Sequence, residues 1–297
     1  MKELSGRVAF VTGGSSGIGL GLVKVLAEEG MSVAFTWRRQ DHLDETMAHF
    51  SGRPAERVLP IRLDVTDRPG FAKAADEVER VLGPVQLLVN NAGVGVLGLM
   101  EHATYDDWDW VMSVNVGGVI NAIVTFLPRM LSRGLEGHIV NVSSMGGVAA
   151  MGSAGVYSTS KFALLGLTEG LRTDMIGRNI GVSVYCPGPV QSNIAEGAKS
   201  RPEHLANSGY RAPEAAAAGA APPDFMKNAM TAVEAARYVV RGIRNNDLFI
   251  LSHPEFRGLI AARNAALLAA LPDEPLDQSR AHTIRWLLSN KIYSDGG

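Results

Sequence analysis

The first 190 residues alternate short apolar runs with longer stretches of helical periodicity, and this alternation narrows the possible folds sharply. Apolar runs stand at Val8–Val11, Ser32–Phe35, Val58–Leu63, Val85–Val89, His138–Val142 and Val182–Tyr185. Between them, Leu20–Glu29, Phe71–Leu82 and Trp108–Leu131 carry apolar residues at helical spacing. Strand–helix alternation with short links predicts an α/β fold, a parallel sheet covered by helices on both faces. Right-handed crossovers make that sheet doubly wound. Ligands of such sheets bind beyond the carboxyl ends of the strands, near the switch point.

The pattern changes after Pro187. The segment 189–230 contains several prolines and the run Ala215–Pro223, and reads as one long connection with at most short helices. Residues 231–245 return to helical spacing, Phe249–Leu251 reads as a last strand, and a tail over 254–297 has helical stretches at Phe256–Leu271 and Ser279–Ser289. We therefore expect a single domain over 1–297, with a lid over 189–230 and a helical tail.

Charge and cysteine usage exclude several classes. A net charge of −2 gives no electrostatic footprint for nucleic acid or for an anionic membrane. One cysteine, Cys186, forms no intrachain disulfide, and seven scattered histidines show no metal-ligand spacing, so no metal is expected. The N-terminus shows no secretory signal, and no stretch reaches the ~18 apolar residues of a membrane span. The expected compartment is the cytoplasm.

Thr12-Gly13-Gly14-Ser15-Ser16-Gly17-Ile18-Gly19 follows the first strand and opens the first helix. Glycines here permit a tight turn, close approach of the backbone to a pyrophosphate and close packing of helix on strand. The helix N-terminus adds free N–H groups and a partial positive charge. A ligand-free tight turn uses glycines too, but this loop follows strand one, where a dinucleotide fold requires it.

Tyr157 and Lys161 are four residues apart, hence on one helix face. A free tyrosine titrates near ~10, so proton exchange near neutrality needs a nearby ammonium to stabilise the phenolate. Ser144, thirteen residues before Tyr157, follows the strand ending at Val142, where it can donate to a substrate carbonyl oxygen. Ser143 is the alternative within the same pair. Thr104-Tyr105-Asp106-Asp107 reads as a capping box, so the cluster Asp106–Trp110 is helix-start chemistry.

The spacing TGxxxGxG, followed in order by Asp64-Val65, Asn90-Asn91-Ala92-Gly93, Asn115, Ser144, Tyr157-Ser158-Thr159-Ser160-Lys161 and Pro187-Gly188-Pro189-Val190, resembles the short-chain dehydrogenase/reductase family. The resemblance implies a Rossmann-like sheet and an NAD(P)-dependent alcohol dehydrogenase or carbonyl reductase. It makes Asn115, Ser144, Tyr157 and Lys161 the catalytic group, with Asn115 holding a water that passes protons to Lys161. It places the cofactor on Gly13, Ser15, Ser16, Gly17, Ile18 and Gly19, with Asp64 and Val65 at the adenine. Asn91, Ala92, Gly93, Tyr157 and Lys161 would lie along its ribose, and Pro187, Gly188, Val190 and Ser192 complete the set. It also implies a homo-oligomer, a dimer or tetramer.

The second strand runs into Trp37-Arg38-Arg39, with no carboxylate before Asp41. NAD-preferring enzymes of this shape put a carboxylate near this point, whereas guanidinium forks suit a 2′-phosphate. The expected cofactor is NADP(H), held by Arg38 with help from Arg39; NAD(H) is the alternative. A finer resemblance rests on Gln40–Glu45, Asp106–Trp110, Gly118–Asn121, Pro128-Arg129-Met130 and the extended C-terminal region. These look like bacterial dehydrogenases that oxidise the benzylic alcohol of lignin-type aryl ethers, although those carry the strand-two carboxylate. The substrate class carried over is bulky aryl or secondary alcohols and ketones, which suits a lid bearing Tyr210, Phe225 and Met226. Gly146, Gly147 and Met151 are expected to line the pocket floor. The rival readings are a non-catalytic nucleotide-binding regulator and a dehydratase or epimerase of the same fold.

Overall fold

A computed structural model describes the chain apart from residues 53–56, 195–199, 211–225, 227, 289 and 294–297. Its seven strands are β1 (Val8–Val11), β2 (Ser32–Trp37), β3 (Val58–Arg62), β4 (Val85–Asn90), β5 (Gly137–Val142), β6 (Ile180–Cys186) and β7 (Phe249–Leu251). All pair parallel, in the order β3-β2-β1-β4-β5-β6-β7. The order reverses between β1 and β4, so the crevice for a ligand opens above those strands.

Period-two alternation sends successive β1 residues to opposite faces. Ala9 and Val11 join a core with Leu22, Val23 and Leu26 of α1 (Gly17–Glu28) and Val239, Val240 and Ile243 of α7 (Ala232–Asn245). Val8 and Phe10 face the second core, with Phe71 and Val78 of α3 (Arg68–Val81) and Phe126 of α5 (Gly118–Arg133). Phe10 and Phe126 rings lie 4.6 Å apart. Truncating either to alanine costs about 3–5 kcal/mol. Glycine lets α1 approach α7 closely: a Cβ on Gly21 would stand 2.2 Å from the Ala232 carbonyl oxygen.

The helix read as continuous over Trp108–Leu131 is interrupted. α4 (Tyr105–Met112) passes into a π-turn over Ser113–Gly117 before α5 begins. The capping box at Thr104 and Asp107 is present in both halves. Residues Tyr105–Arg133 are long and apolar enough to cross a membrane, but Trp110, Val111, Ala122, Phe126 and Met130 are buried on the sheet, as in a core helix. Gln40–Phe50 forms α2, which the polar sequence did not signal. The tail gives α8 (Arg257–Ala269), α9 (Gln278–Thr283) and α10 (Arg285–Leu288), so the second tail stretch is two short helices.

Candidate active site

The glycine loop is built from outside itself. Thr12 Oγ1 accepts the N–H groups of Asn91 and Ala92, both at 3.0 Å. Asn91 Nδ2 donates to the carbonyl oxygens of Thr12 (3.0 Å) and Gly13 (3.1 Å), and Gly13 N–H donates to Thr36 Oγ1 at 2.8 Å. The Asn91 side chain therefore braces the loop. A Cβ on Gly19 would stand 2.1 Å from the Gly13 carbonyl oxygen, which only glycine avoids. Gly13 and Gly17 sit at φ of +64° and +51°.

The α1 N-terminus suits an anion. Ser16 makes no side-chain capping bond, the first turn has no acidic residue, and Leu20 N–H to Ser16 O is the first helical bond. The N–H groups ahead of it have no partner within the helix. That donor set fits a pyrophosphate.

At the ends of β2 and β3, Arg38 Nη1 donates to Asp64 Oδ2 at 2.8 Å, and Asp64 Oδ1 accepts the N–H (2.9 Å) and the hydroxyl (2.8 Å) of Thr66. Burial raises the Asp64 carboxyl, but the Thr66 and Arg38 bonds outweigh it and hold it below its ordinary range. Arg39 turns to Asp41, its Nε at 3.0 Å from Oδ1. An open pocket of about 500 Å³ beside Arg38 is lined also by Arg62, Asp64, Asp67 and Lys73. The Arg62 guanidinium stands 5.8 Å from the centre of the Trp37 ring.

The four residues expected to act together converge at the carboxyl ends of β4 and β5. Tyr157 and Lys161 lie on α6 (Gly155–Asp174), with Lys161 Nζ 5.6 Å from the Tyr157 ring centre. Lys161 is buried and donates to the Val142 carbonyl oxygen at 3.1 Å. Burial draws its ammonium down to about 8. Burial pushes the Tyr157 phenol up, while a hydrogen bond with Ser144 works against that rise. The paired serines separate by role: Ser143 Oγ donates to the Lys161 carbonyl oxygen at 2.8 Å, while Ser144 Oγ meets Tyr157 and accepts the Gly146 N–H at 3.1 Å. A Cβ on Gly93 would lie 3.4 Å from Lys161 Nζ and 3.2 Å from Asn115 Oδ1, so glycine keeps that approach open.

Asn115 sits in the π-turn and is fully buried. Its Oδ1 accepts Val94 N–H at 2.8 Å; its Nδ2 donates to the Val94 carbonyl oxygen and to Ser160 Oγ, both at 2.9 Å. Both amide hydrogens are spent, so the side chain locks the β4 exit to α6. A water held at this residue could only donate to the side chain, through the second lone pair of Oδ1, or to the π-turn backbone.

Above the site, Val190 and Met230 bridge: Met230 N–H donates to the Pro189 carbonyl oxygen at 3.1 Å, and Gln191 N–H to that of Met230 at 2.9 Å. Ser192 packs on Gly17, where a Cβ would lie 2.9 Å from its own. The described part of the 189–230 segment is bonded to α4. Arg201 Nη1 donates to Asp107 Oδ1 at 2.6 Å and lies over the Trp110 ring, and Ser208 Oγ donates to Asp107 Oδ1 at 2.7 Å. The Asp106–Trp110 cluster is thus a helix start that also holds residues 201–209, which its capping pattern did not reveal. Tyr210 lies against Gly98; Phe225 falls outside the described residues. Gly146 lies beneath Ser144 and beside Met151, while Gly147 packs against Ser143 and the α6 backbone. Ile194 and Tyr157 line the space at Gly95. Among the described residues, no group of His, Cys, Asp or Glu is placed to hold a metal ion.

A doubly wound sheet with an anion-ready first helix, and a Ser–Tyr–Lys group at the same edge, defines a dinucleotide-dependent oxidoreductase. The family model for short chain dehydrogenases matches residues 7–203, and the chain belongs to that family. It is 40% identical to the C alpha-dehydrogenase of Sphingobium sp. (strain NBRC 103272 / SYK-6), with 100% of this chain and 98% of that protein covered. Among solved structures it is similar to apo LigO of Sphingobium sp. strain SYK-6, at 43% identity and a TM-score of 0.77, covering 97% and 98% of the two chains. It is also similar to a short-chain dehydrogenase/reductase from Burkholderia phymatum in complex with NAD, at 31% identity and a TM-score of 0.82, covering 93% and 100%. The chain is thus an NAD(P)-dependent oxidoreductase that acts on a small molecule.

Proposed function

We propose that this enzyme interconverts a bulky, apolar, aryl-type secondary alcohol and its ketone, with NADP(H) preferred. The observation that carries the reaction is the placement of Tyr157 beside the buried Lys161 ammonium, 5.6 Å from its ring centre, with Ser144 at the same strand edge. The bound nicotinamide supplies hydride transfer. In reduction, Ser144 holds the carbonyl oxygen and Tyr157 gives it a proton. The Lys161 charge stabilises the phenolate left behind. In oxidation Tyr157 takes the proton back. Asn115 fixes the β4 exit against α6 so that this geometry persists.

The substrate class is supported by exposed Met100, Met151 and Ile194, which lie against Gly155, Gly146 and Gly95 beside Ser144 and Tyr157. The name of the C alpha-dehydrogenase relative supports the dehydrogenase reaction rather than the size of the substrate. NADP(H) is supported by Arg38 and the absence of a carboxylate at Trp37. The second reading, NAD(H), is favoured by the Arg38–Asp64 pair, which already occupies the guanidinium, and by the NAD-bound relative. Reduced-nicotinamide absorbance with a panel of aryl ketones and alcohols tests both. Higher kcat/KM with NADH overturns the NADP assignment; no change in reduced cofactor with any member overturns the reaction.

A homo-oligomer and a cytoplasmic address belong to the same reading. Residues 261–280, including Leu267, Leu268, Leu271 and Leu276, are exposed. So apolar a helix is marginal in water without a partner. Light scattering at a monomer mass overturns the assembly. Cys186 is buried and free, which suits a reducing compartment.

A further inference from the structure

The loop Pro187–Val190 leaves β6 between Ser144 and the lid, and its backbone is held by a side chain from beyond β7. His253 Nδ1 accepts the Gly188 N–H at 3.1 Å, and His253 Nε2 stands 3.2 Å from the Pro189 carbonyl oxygen. A carbonyl only accepts and an N–H only donates, so both bonds form at once only in the neutral Nε2–H tautomer. Ser252 Oγ lies 2.9 Å from Nδ1 and 3.0 Å from the Tyr185 hydroxyl, so it packs a second polar group against the same edge of the ring. Burial pushes the Tyr185 phenol up to about 12, so it stays protonated beside Ser252.

Packing gives an independent sign of the same role. A Cβ on Gly188 would stand 2.8 Å from His253 Cγ and Cδ2, so the imidazole rests on a backbone that only glycine leaves bare. The residues on either side are tied as well. The Pro187 carbonyl oxygen accepts Met145 N–H at 2.9 Å, next to Ser144, and the Pro189 carbonyl oxygen also accepts Met230 N–H. His253 thus sets the stretch that joins the oxygen-holding serine to the lid. This stretch lies at the β5–β6 side of the sheet, several strands from Arg38 and Asp64 at the ends of β2 and β3.

We propose that His253 is a positioning residue for the nicotinamide half of the cofactor, acting through the Gly188–Pro189 backbone. The inference rests on the dinucleotide reading above, but it makes a demand that reading does not. Loss of His253 must weaken the whole dinucleotide and spare its adenosine half.

The test is calorimetric binding of NADPH and of adenosine 2′,5′-bisphosphate to the full chain; NADH and ADP replace them where the wild type prefers NADH. His253→Phe keeps a ring and loses both bonds. It is expected to weaken the dinucleotide about 10- to 30-fold and the fragment less than twofold, in line with two modest hydrogen bonds. His253→Asn keeps an acceptor near Nδ1, His253→Gln keeps a donor near Nε2, and each should fall between. Gly188→Ala leaves His253 in place but drives a Cβ into the ring, and should give the same split if His253→Phe does not fold. Parallel weakening of dinucleotide and fragment, or no weakening of either, overturns the role of His253. Failure of the wild-type chain to bind any dinucleotide overturns the underlying reading and the inference with it.

Discussion

Arg38 and Asp64 form an ion pair at 2.8 Å, joining the cation expected on a 2′-phosphate to the carboxylate expected at the adenine. The pair is about 40% exposed on both sides, so it stabilises the fold by little and yields to a stronger anion. Arg38→Leu should lower the NADPH-to-NADH ratio of kcat/KM by about 10- to 100-fold, the range of a charge-assisted bond. Asp64→Asn keeps an acceptor for Thr66 and frees the guanidinium, so the ratio should rise several-fold. An unchanged ratio in Arg38→Leu removes Arg38 from cofactor choice.

The two adjacent serines should part in their mutant behaviour. Ser144→Ala removes the group that meets Tyr157 and should cost about 10²–10³ in kcat. Ser143→Ala loses a bond to the Lys161 carbonyl oxygen, so it should lower stability by about 1 kcal/mol and spare most turnover. Tyr157→Phe should reduce kcat by about 10²–10⁴ while cofactor binding stays within a few-fold. Steady-state kinetics beside thermal denaturation separates the three variants; equal kcat losses at both serines would contradict the assignment.

Lys161 links pH to both stability and rate. Burial holds its folded pKa at about 8, below the ~10.4 of an unfolded lysine. Between those values the unfolded chain binds more protons, so this residue makes stability rise with pH there, and its penalty is full below about pH 8. Lys161→Met should therefore be more stable than wild type at pH 6–7, by about 1–2 kcal/mol after loss of the Val142 bond. The gain should shrink between pH 8 and 10.5. Its turnover should fall at least ~10²-fold and recover in the oxidation direction as pH rises, because base then forms the phenolate without the ammonium. A melting offset that is flat with pH would sink the linkage.

The Arg201–Asp107 pair is a test of the lid. Burial raises the Asp107 carboxyl, but bonds from Thr104, Ser208, Arg201 and Gly209 overcome it and hold it at about 2. The latch is therefore present at neutral pH and weakens only as pH falls from ~4 towards 2. Arg201→Met leaves a buried carboxylate short of its cation, and should cost about 3 kcal/mol and raise KM more than it changes kcat. Limited proteolysis should cut the 189–230 segment faster. Cleavage and KM at wild-type values would mean that the latch does not hold the lid.

Local pattern carried much of the fold and part of the site. Runs of three to six residues with helical stretches between them define strands and crossovers, because burial on a parallel sheet demands that pattern. The TGxxxGxG turn and the four-residue step from Tyr157 to Lys161 are equally local, since backbone geometry alone sets which residues share a turn or a helix face. Tertiary structure decided what those groups touch. Ser143 and Ser144 read alike until α6 presents its backbone to one and Tyr157 to the other. Asn91 read as a cofactor contact and Asn115 as a catalytic residue, and only the folded chain shows the Asn91 side chain bracing the glycine loop and that of Asn115 locking Val94 to Ser160. The Arg201–Asp107 bond spans 94 residues and the Gly188–His253 bond 65. Periodicity reports which face a residue occupies, whereas such partners are chosen by crossovers, loop paths and rotamers that no local pattern encodes.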